Sequence, residues 1–242
     1  MDVTGVGVEA NFFSAMLWII IILLVLLIVF LIWEIWICEG AHLGRRFVVW
    51  LYDLAASRYE RIKGFDPDWE KRFLGEPVVG TLRSLQDAII LDVGAGTGRL
   101  ARRVLPLRAF QGSIICLDAS RGMIEQGRRL MNDGRARWMQ AWSVPLPFRN
   151  ETFDMVVSLE MLEFTPRPEE SLREMVRVTR PGGWVVVTNR VGWEAPWILG
   201  QTYRRGDFAD VLERLGLDYV EILPWQVDYD LAWARKSFES TT

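Results

Sequence analysis

A glycine-rich loop between two acidic residues is the part of this sequence best suited to chemistry. An apolar run over 88–93 leads into a Gly-x-Gly-x-Gly loop over 94–98, with Asp92 just before it. Asp118 ends a second apolar run, about 20 residues further on, where an acidic side chain can accept hydrogen bonds from two ribose hydroxyls. Asp118 could instead cap the next helix, a role open to Ser120 as well. The pattern predicts a ligand with a ribose at this loop.

Two familiar nucleotide-binding patterns do not fit the loop. A dinucleotide fingerprint, G-x-G-x-x-G, would require glycine at the position of Arg99. A P-loop would require Gly-Lys followed by Ser or Thr, and the loop has no such sequence. Nicotinamide-dependent oxidoreduction and nucleoside triphosphate hydrolysis are therefore disfavoured.

Short apolar runs alternate with helical stretches from residue 88 onward, which predicts a parallel sheet covered on both faces. The strand-like runs are 88–93, 113–120, 153–160 and 182–190, and the helical stretches are 99–107, 123–132 and 169–179. A helix over 207–215 and two strands over 219–226 and 228–236 predict a hairpin that completes the sheet. Ligands of such sheets bind at the carboxyl ends of the strands, where the glycine loop lies.

The apolar residues of the chain are concentrated near its start. No charged residue lies between Ala15 and Trp33, a length that spans a hydrocarbon core of about 30 Å as a helix. A cleaved signal peptide fits less well, because no Lys or Arg precedes the run and no Ala-x-Ala site follows it. We predict a tail over 1–14, a transmembrane helix over 15–38, an amphipathic bridge and cap over 39–80, and a catalytic domain over 81–242. Arg45 and Arg46 predict that this domain is cytoplasmic and the N-terminus outside.

Composition excludes several other classes of protein. The 242 residues include 28 Lys+Arg and 31 Asp+Glu, a net charge of −3 that disfavours general nucleic-acid binding. One His and two Cys exclude a disulfide scaffold and the usual zinc sites. His42 has no partner histidine or cysteine in this interpretation, so no metal site is predicted.

Four segments resemble, in order and spacing, the class I S-adenosylmethionine-dependent methyltransferases, and most closely the ubiquinone/menaquinone-type branch. They are ILDVGAGTGRL, LDAS with Met123 shortly after, VPLPFRNETFDMVVS, and LREMVRVTRPGGWVVVTNR. The resemblance extends from about Tyr52 to the C-terminus. It implies an α/β, Rossmann-like sheet of seven strands in the order 3-2-1-4-5-7-6, here preceded by one transmembrane helix, and S-adenosylmethionine as the cofactor.

The resemblance also implies which residues hold this cofactor. Asp92 and the backbone of 94–98 would hold the methionine end, Asp118 the ribose, and Ala119 and Met123 the adenine. The full predicted set is Asp92, Gly94, Ala95, Gly96, Thr97, Gly98, Asp118, Ala119, Ser120, Met123, Ala141, Trp142, Leu159 and Tyr59. Trp142 stands where the family commonly has an acidic residue. Tyr52 or Tyr59 would close over the cofactor, or would serve only in packing.

Many members of the family carry a His pair where Glu163 and Phe164 stand here, so no histidine base is available at this position. Glu160 and Glu163 are therefore the candidate catalytic residues, either of which could deprotonate the acceptor. Burial would raise the pKa of such a carboxyl toward a useful range, although Glu163 could also be a solvated residue at a helix start.

The predicted function is methyl transfer to a hydrophobic acceptor at the membrane, either a lipid or a quinone-like molecule. The alternative is a membrane-anchored scaffold that binds the cofactor without catalysis. The Trp-rich segment 191–206 would line the acceptor site, or would pack on the sheet or the membrane surface.

Overall fold

Seven strands form one mixed sheet in the order β3-β2-β1-β4-β5-β7-β6, which confirms the predicted order. The computed structural model describes residues 4–199 and 201–238. The start of the predicted tail (1–3), residue 200 of the Trp-rich segment and the end of the predicted catalytic domain (239–242) lie outside the described residues. The strands are β1 (Ile89–Val93), β2 (Ser113–Asp118), β3 (Ala136–Gln140), β4 (Phe153–Ser158), β5 (Thr179–Arg190), β6 (Leu217–Trp225) and β7 (Tyr229–Lys236). β1 to β5 pair in parallel, and β7 runs antiparallel to both β5 and β6.

Nine α-helices accompany the sheet in the part of the chain that the structure describes, and the later ones cover its two apolar faces. They are α1 (Thr4–Ile32), α2 (Arg45–Ala55), α3 (Tyr59–Lys63), α4 (Pro67–Glu70), α5 (Glu76–Thr81), α6 (Arg99–Val104), α7 (Arg121–Leu130), α8 (Pro168–Val178) and α9 (Phe208–Arg214). Val78 of α5 and Leu100 of α6 pack on one face of the sheet, and Leu172 of α8 and Phe208 of α9 pack on the other. The carboxyl ends of β1, β2 and β4 remain free for a site.

β3 is the strand that the hydrophobic pattern does not reveal. It lies at the edge of the sheet, and its five residues are half-buried or exposed. Arg137 and Gln140 therefore face solvent without cost, and the segment lacks the continuous apolar character of β4, in which every residue is buried. Only the family resemblance implied a seventh strand.

The predicted helical bridge is a series of short helices. Gly44 precedes α2 with φ +92°, and Gly64 ends α3 with φ +59°. Asp66 caps α4 by accepting hydrogen bonds from the backbone N–H groups of Asp68 and Trp69. These turns fold the segment back over the carboxyl edge of the sheet as a cap.

The N-terminal helix begins at Thr4 rather than after a tail, and continues as a π-helical turn over Trp33–Ile37. The candidate membrane span, Phe13–Ile37, has a mean hydropathy of 3.5 in its most apolar window, and no part of that window is buried against the rest of the chain. Length and composition alone qualify it as a span, and a signal sequence near an N-terminus meets the same criteria.

Two glycines provide a matched test of the fold. A Cβ on Gly112, at the start of β2, would lie 2.0 Å from the carbonyl oxygen of Ala88, whereas a Cβ on Gly134 would meet no atom within 4 Å. We expect Gly112→Ala to lower the free energy of unfolding by roughly 1–3 kcal/mol, because backbone must move. Gly134→Ala should leave it unchanged or raise it by about 0.5 kcal/mol. Chemical denaturation in detergent measures both, and equal midpoints would contradict this packing.

Candidate active site

The glycine loop joins β1 to α6 and has the conformation that only glycine adopts freely. Gly94, Gly96 and Gly98 all have positive φ, between +54° and +82°. A Cβ on Gly94 would lie 2.5 Å from Met161 Cγ, and one on Gly98 would lie 2.6 Å from the ring of Trp138. A Cβ on Gly96 would point into open space, with Tyr59 as its nearest neighbour at 4.0 Å. The loop therefore leaves an open space between the backbone of Gly96 and the ring of Tyr59, which we call the cradle.

Asp118 holds this loop from the end of β2. One of its carboxylate oxygens accepts the N–H of Gly96 at 2.7 Å and the other accepts the N–H of Ser120 at 2.8 Å. Burial raises the pKa of Asp118 to about 6, against the opposing effect of these two N–H groups. Ser120 caps α7 by accepting the N–H of Met123 at 3.1 Å. Because Ser120 provides the cap, Asp118 keeps free lone pairs for a ligand.

A cavity of about 410 Å³ opens beside Asp118, at the carboxyl ends of β1, β2 and β4. Many of the residues predicted to bind a cofactor, together with one predicted catalytic residue, line it. These are Tyr59, Gly94, Gly96, Asp118, Ala119, Ser120, Ala141, Trp142, Leu159 and Glu160. Residues from five separate parts of the chain thus meet around one cavity.

The other predicted residues lie behind the cavity wall rather than on it. They are Asp92, Ala95, Thr97, Gly98, Met123 and Glu163. Burial, followed by the negative charge of Asp118, raises the pKa of Asp92 to about 8. The hydroxyl of Thr97 donates to Glu60 of the cap, and Met123 lies on the buried face of α7. A sequence motif marks the loop but does not show which side chains face inward.

The wall formed by α2 is the part that sequence reasoning missed. Arg45, Val48 and Val49 line the cavity, and their helical spacing was the available signal. Tyr52, one of the two tyrosines predicted to close over the cofactor, lines it beside them. The Arg45 guanidinium lies 4.5 Å from the centre of the Trp142 ring, a cation–π contact that fixes the indole at the cavity edge. The remaining lining residues not predicted are Leu117, Ser143, Val144, Met161, Phe164, Thr165, Pro166, Arg167, Glu170 and Ser171.

Arg99, the first residue of α6, connects the cap to the site. Its guanidinium donates to Glu70 of the cap and to Glu160 beyond β4, and it lies 3.9 Å from the centre of the Phe65 ring. Lys63 also pairs with Glu160, at 3.3 Å. Burial opposes ionisation of Glu160, but Arg99 and Lys63 outweigh it and hold its pKa below the usual value. The expected rise in pKa is therefore wrong for Glu160.

Glu160 also has a strained backbone, with φ +52°. Its N–H donates to the hydroxyl of Thr188 at 2.6 Å, which helps to hold this conformation. Strain at the carboxyl end of a central strand is typical of functional positions.

Glu163 is buried, with 1% of its surface exposed, so it is not a solvated residue at a helix start. One of its oxygens accepts the hydroxyl of Tyr229 at 2.6 Å, and the other has no hydrogen-bond partner among the described residues. Burial raises the pKa of Glu163 to about 7, with the Tyr229 hydrogen bond acting against this rise. The predicted rise in pKa is therefore found for Glu163.

A second cavity of about 380 Å³ lies on the other side of Glu160. Tyr229, Arg190 and Phe65 contribute to its wall. Arg190 is 8% exposed, and its Nε and Nη1 atoms have no hydrogen-bond partner within the described part of the chain. Nη1 lies 3.6 Å from Glu39 and Nη2 lies 3.7 Å from Glu194, distances too long for hydrogen bonds. Buried donors usually find partners, so Nε is the donor best suited to an oxygen of a ligand.

His42 is not isolated, which corrects the sequence interpretation. Its Nδ1 lies 3.0 Å from Glu34, and its Nε2 accepts the N–H of Leu199 at 3.0 Å. Cys38 lies close enough for the three side chains to reach one ion, but its thiol donates to the carbonyl of Trp197 at 3.5 Å. Each side chain of this group is already used in a hydrogen bond.

Comparison with known proteins assigns a class to this domain. Residues 91–187 match the family model described as a methyltransferase domain. A SAM-dependent methyltransferase from Aquifex aeolicus superposes with a TM-score of 0.59 at 17% identity, covering 74% of this chain and 97% of that chain. The [4+2]-cyclase SpnF gives 0.65 at 18% identity, covering 81% and 97%. Residues 91–187 are therefore similar to a methyltransferase domain, and the sheet has the class I methyltransferase fold.

Relatives in sequence are named for quinone biosynthesis. A ubiquinone/menaquinone biosynthesis C-methyltransferase UbiE from Coxiella burnetii is 38% identical over 102 residues, which are 40% of this chain and 41% of the relative. A demethylmenaquinone methyltransferase from Clavibacter sepedonicus is 32% identical over 146 residues, covering 57% and 55%. The chain thus spans about half the length of the curated relatives it matches. The domain and these relatives imply S-adenosylmethionine as the methyl donor.

The first cavity fits this donor. Its volume lies within the range of about 300–1,000 Å³ typical of small-molecule sites. The Asp118 carboxylate suits two ribose hydroxyls, and the cradle at Gly96 admits a ligand close to the backbone.

Asp118 provides the test of this cavity. Asp118→Ala should weaken S-adenosylmethionine binding by about 10- to 100-fold, because hydrogen bonds to a charged group are lost. Asp118→Asn, which keeps the side-chain size, should also weaken it. Asp133→Ala, at the start of β3 and outside the cavity, should bind as the wild type does. Calorimetric titration measures all four proteins, and normal binding by both Asp118 variants would refute the assignment.

Proposed function

We propose that this chain transfers a methyl group from S-adenosylmethionine to an apolar, quinone-type acceptor at a membrane. The observation that carries the proposal is the cavity in which Asp118, the glycine loop and Tyr59 meet beside Glu160. Its position at the carboxyl ends of the central strands is where ligands of such sheets bind.

The acceptor class is supported by the names of the relatives and by the second cavity. The relatives are named for ubiquinone, menaquinone and demethylmenaquinone. Arg190 could hold a ring oxygen of such an acceptor, and Phe65 offers an aromatic surface in the same cavity. Glu160 lines both cavities, so acceptor and donor would meet beside it.

We further propose that Phe13–Ile37 anchors the chain in the membrane, with the N-terminus outside and the methyltransferase domain in the cytoplasm. The length and mean hydropathy of the span support the anchor. Arg45 and Arg46, just beyond the span, support this orientation through the positive-inside rule. A tethered domain would have direct access to acceptors dissolved in the bilayer.

The proposed chemistry needs little from the protein beyond positioning and one proton relay. S-adenosylmethionine supplies, when bound, an electrophilic methyl group on a positively charged sulfur. Tyr229 would accept the hydroxyl proton of a reduced acceptor and pass its own proton to Glu163. Arg190 would stabilise the resulting oxyanion, and alignment of the acceptor with the methyl group would supply several kcal/mol by proximity. Glu160, held between Arg99 and Lys63, would position the cap rather than act as a base.

A transfer assay tests the function. The detergent-purified chain is incubated with methyl-labelled S-adenosylmethionine and reduced demethylmenaquinone, and the quinone is analysed by mass spectrometry. We expect the gain of one methyl group, and its loss in Asp118→Ala. If the donor binds normally but neither this quinol nor a membrane lipid extract is methylated, the non-catalytic scaffold becomes the better account.

The pH dependence tests the relay. We expect kcat/KM to rise with pH through about 7, as Glu163 loses its proton. Tyr229→Phe should lower kcat/KM and remove this rise, because the hydroxyl that connects the acceptor to Glu163 is lost. Glu163→Gln should remove the rise and lower the rate. Tyr219→Phe, a matched change on exposed β6, should keep the wild-type profile. A rise through about pH 7 that persists in Tyr229→Phe at the wild-type rate would exclude the relay.

A further inference from the structure

The segment between β5 and α9 is fastened to the end of the candidate membrane span. The N–H of Leu199 donates to His42 at 3.0 Å, and the thiol of Cys38 donates to the carbonyl of Trp197 at 3.5 Å. Ile198 is buried in an apolar cluster with Cys38 and Ala41. The span ends at Ile37, Cys38 follows it directly, and His42 is five residues on, so these contacts lie within roughly 18 Å of its end even for fully extended chain.

Large apolar side chains of this segment face outward. Trp193 is 68% exposed, Trp197 54% and Leu199 67%, and none of the three lines either cavity described above. Trp36, on the last turn of the span, is 81% exposed. We call these four residues the tryptophan patch. Exposed apolar side chains gathered in one region of a protein mark a surface that binds something.

We propose that the tryptophan patch is a second membrane contact, which lies in the interfacial layer of the bilayer. This inference rests on the proposed membrane anchor. Tryptophan concentrates at the level of the lipid headgroups, where its ring is apolar and its N–H is solvated. Continuity with the span places the patch at that level. Arg45 and Arg46 begin α2 nearby and would attract anionic headgroups.

A second contact would fix how the domain faces the membrane. The span joins the domain through Gly40 and Gly44, which both have positive φ, and one helix alone would leave the domain free to turn about this link. α2, which follows Gly44, lines the donor cavity, and Phe164 packs against the Cys38 cluster while lining the same cavity. A seated patch would therefore hold the cavity next to the lipid, so that an apolar acceptor need not cross water.

Site-directed spin labelling measures the depth of the patch. Cys38 and Cys116, the cysteines of the chain, are buried, so an introduced surface cysteine is labelled in preference. The variants are Leu199→Cys in the patch, Leu24→Cys in the span, and Ala109→Cys before β2. Residue 109 lies at the amino ends of the strands, opposite the site. The full-length protein is reconstituted in vesicles of phosphatidylcholine and phosphatidylglycerol, and relaxation by oxygen is compared with relaxation by a water-soluble nickel chelate.

We expect the label at 199 to be relaxed by oxygen and shielded from nickel, at a depth between the labels at 24 and 109. If the nickel chelate relaxes the label at 199 as strongly as the label at 109, the proposed membrane contact of the patch is wrong. The proposed anchor would still hold in that case if the label at 24 lies in lipid. A label at 24 outside the lipid would overturn both. Shielding accompanied by spin–spin broadening that disappears on dilution with unlabelled protein would mean that a second copy covers the patch, which also overturns the proposal.

A functional readout separates the patch from the active site. The double variant Trp193→Ser, Trp197→Ser should raise KM for a quinol presented in vesicles several-fold, with S-adenosylmethionine affinity unchanged. The same variant should show no change in KM for a short-tailed, water-soluble quinol. An equal rise for both forms of acceptor would show that these tryptophans serve the acceptor site and not the membrane.

Discussion

The buried guanidinium of Arg99 is the interaction on which the arrangement of the site depends. A buried cation is costly unless it is paired, and Arg99 finds its partners in Glu70 of the cap and in Glu160 at the end of β4. The cap, the start of α6 and the sheet edge therefore cannot separate without exposing or isolating charge. Arg99 occupies the position that a dinucleotide fingerprint reserves for glycine, so the residue that argues against a dinucleotide also secures the cap.

Two kinds of wall meet at this edge of the sheet. The β1 and β2 ends supply rigid backbone and a carboxylate, with Asp118 holding the N–H of Gly96. The cap supplies side chains such as Tyr59 and the residues of α2, which follow directly from the candidate span. The donor would thus be held between the rigid end of the sheet and a cap that follows directly from the candidate span. The Glu34, His42 and Leu199 contacts link that helix to the far side of the site.

The glycine loop could be located from its own residues, whereas the sheet order was implied only by the resemblance to the class I methyltransferases. The sequence did not reveal β3, whose exposed edge position leaves no apolar run. It did not show that the side chains of Thr97 and Met123 are buried behind the cavity, since spacing does not determine the direction of a side chain. The contact between Arg45 and Trp142, and that between His42 and Leu199, join residues far apart in the chain, so no local pattern could indicate them.

The central claim, that S-adenosylmethionine occupies the cavity beside Asp118, is tested most directly by hydrogen–deuterium exchange with and without S-adenosylhomocysteine. The account predicts slower exchange in three parts of the chain, namely the loop over 94–98, the turn over 118–123 and the cap over 45–59. Exchange at residues 106–112, which precede β2 at the amino ends of the strands, should not change. Protection confined to other regions, or none at saturating ligand, would contradict the account.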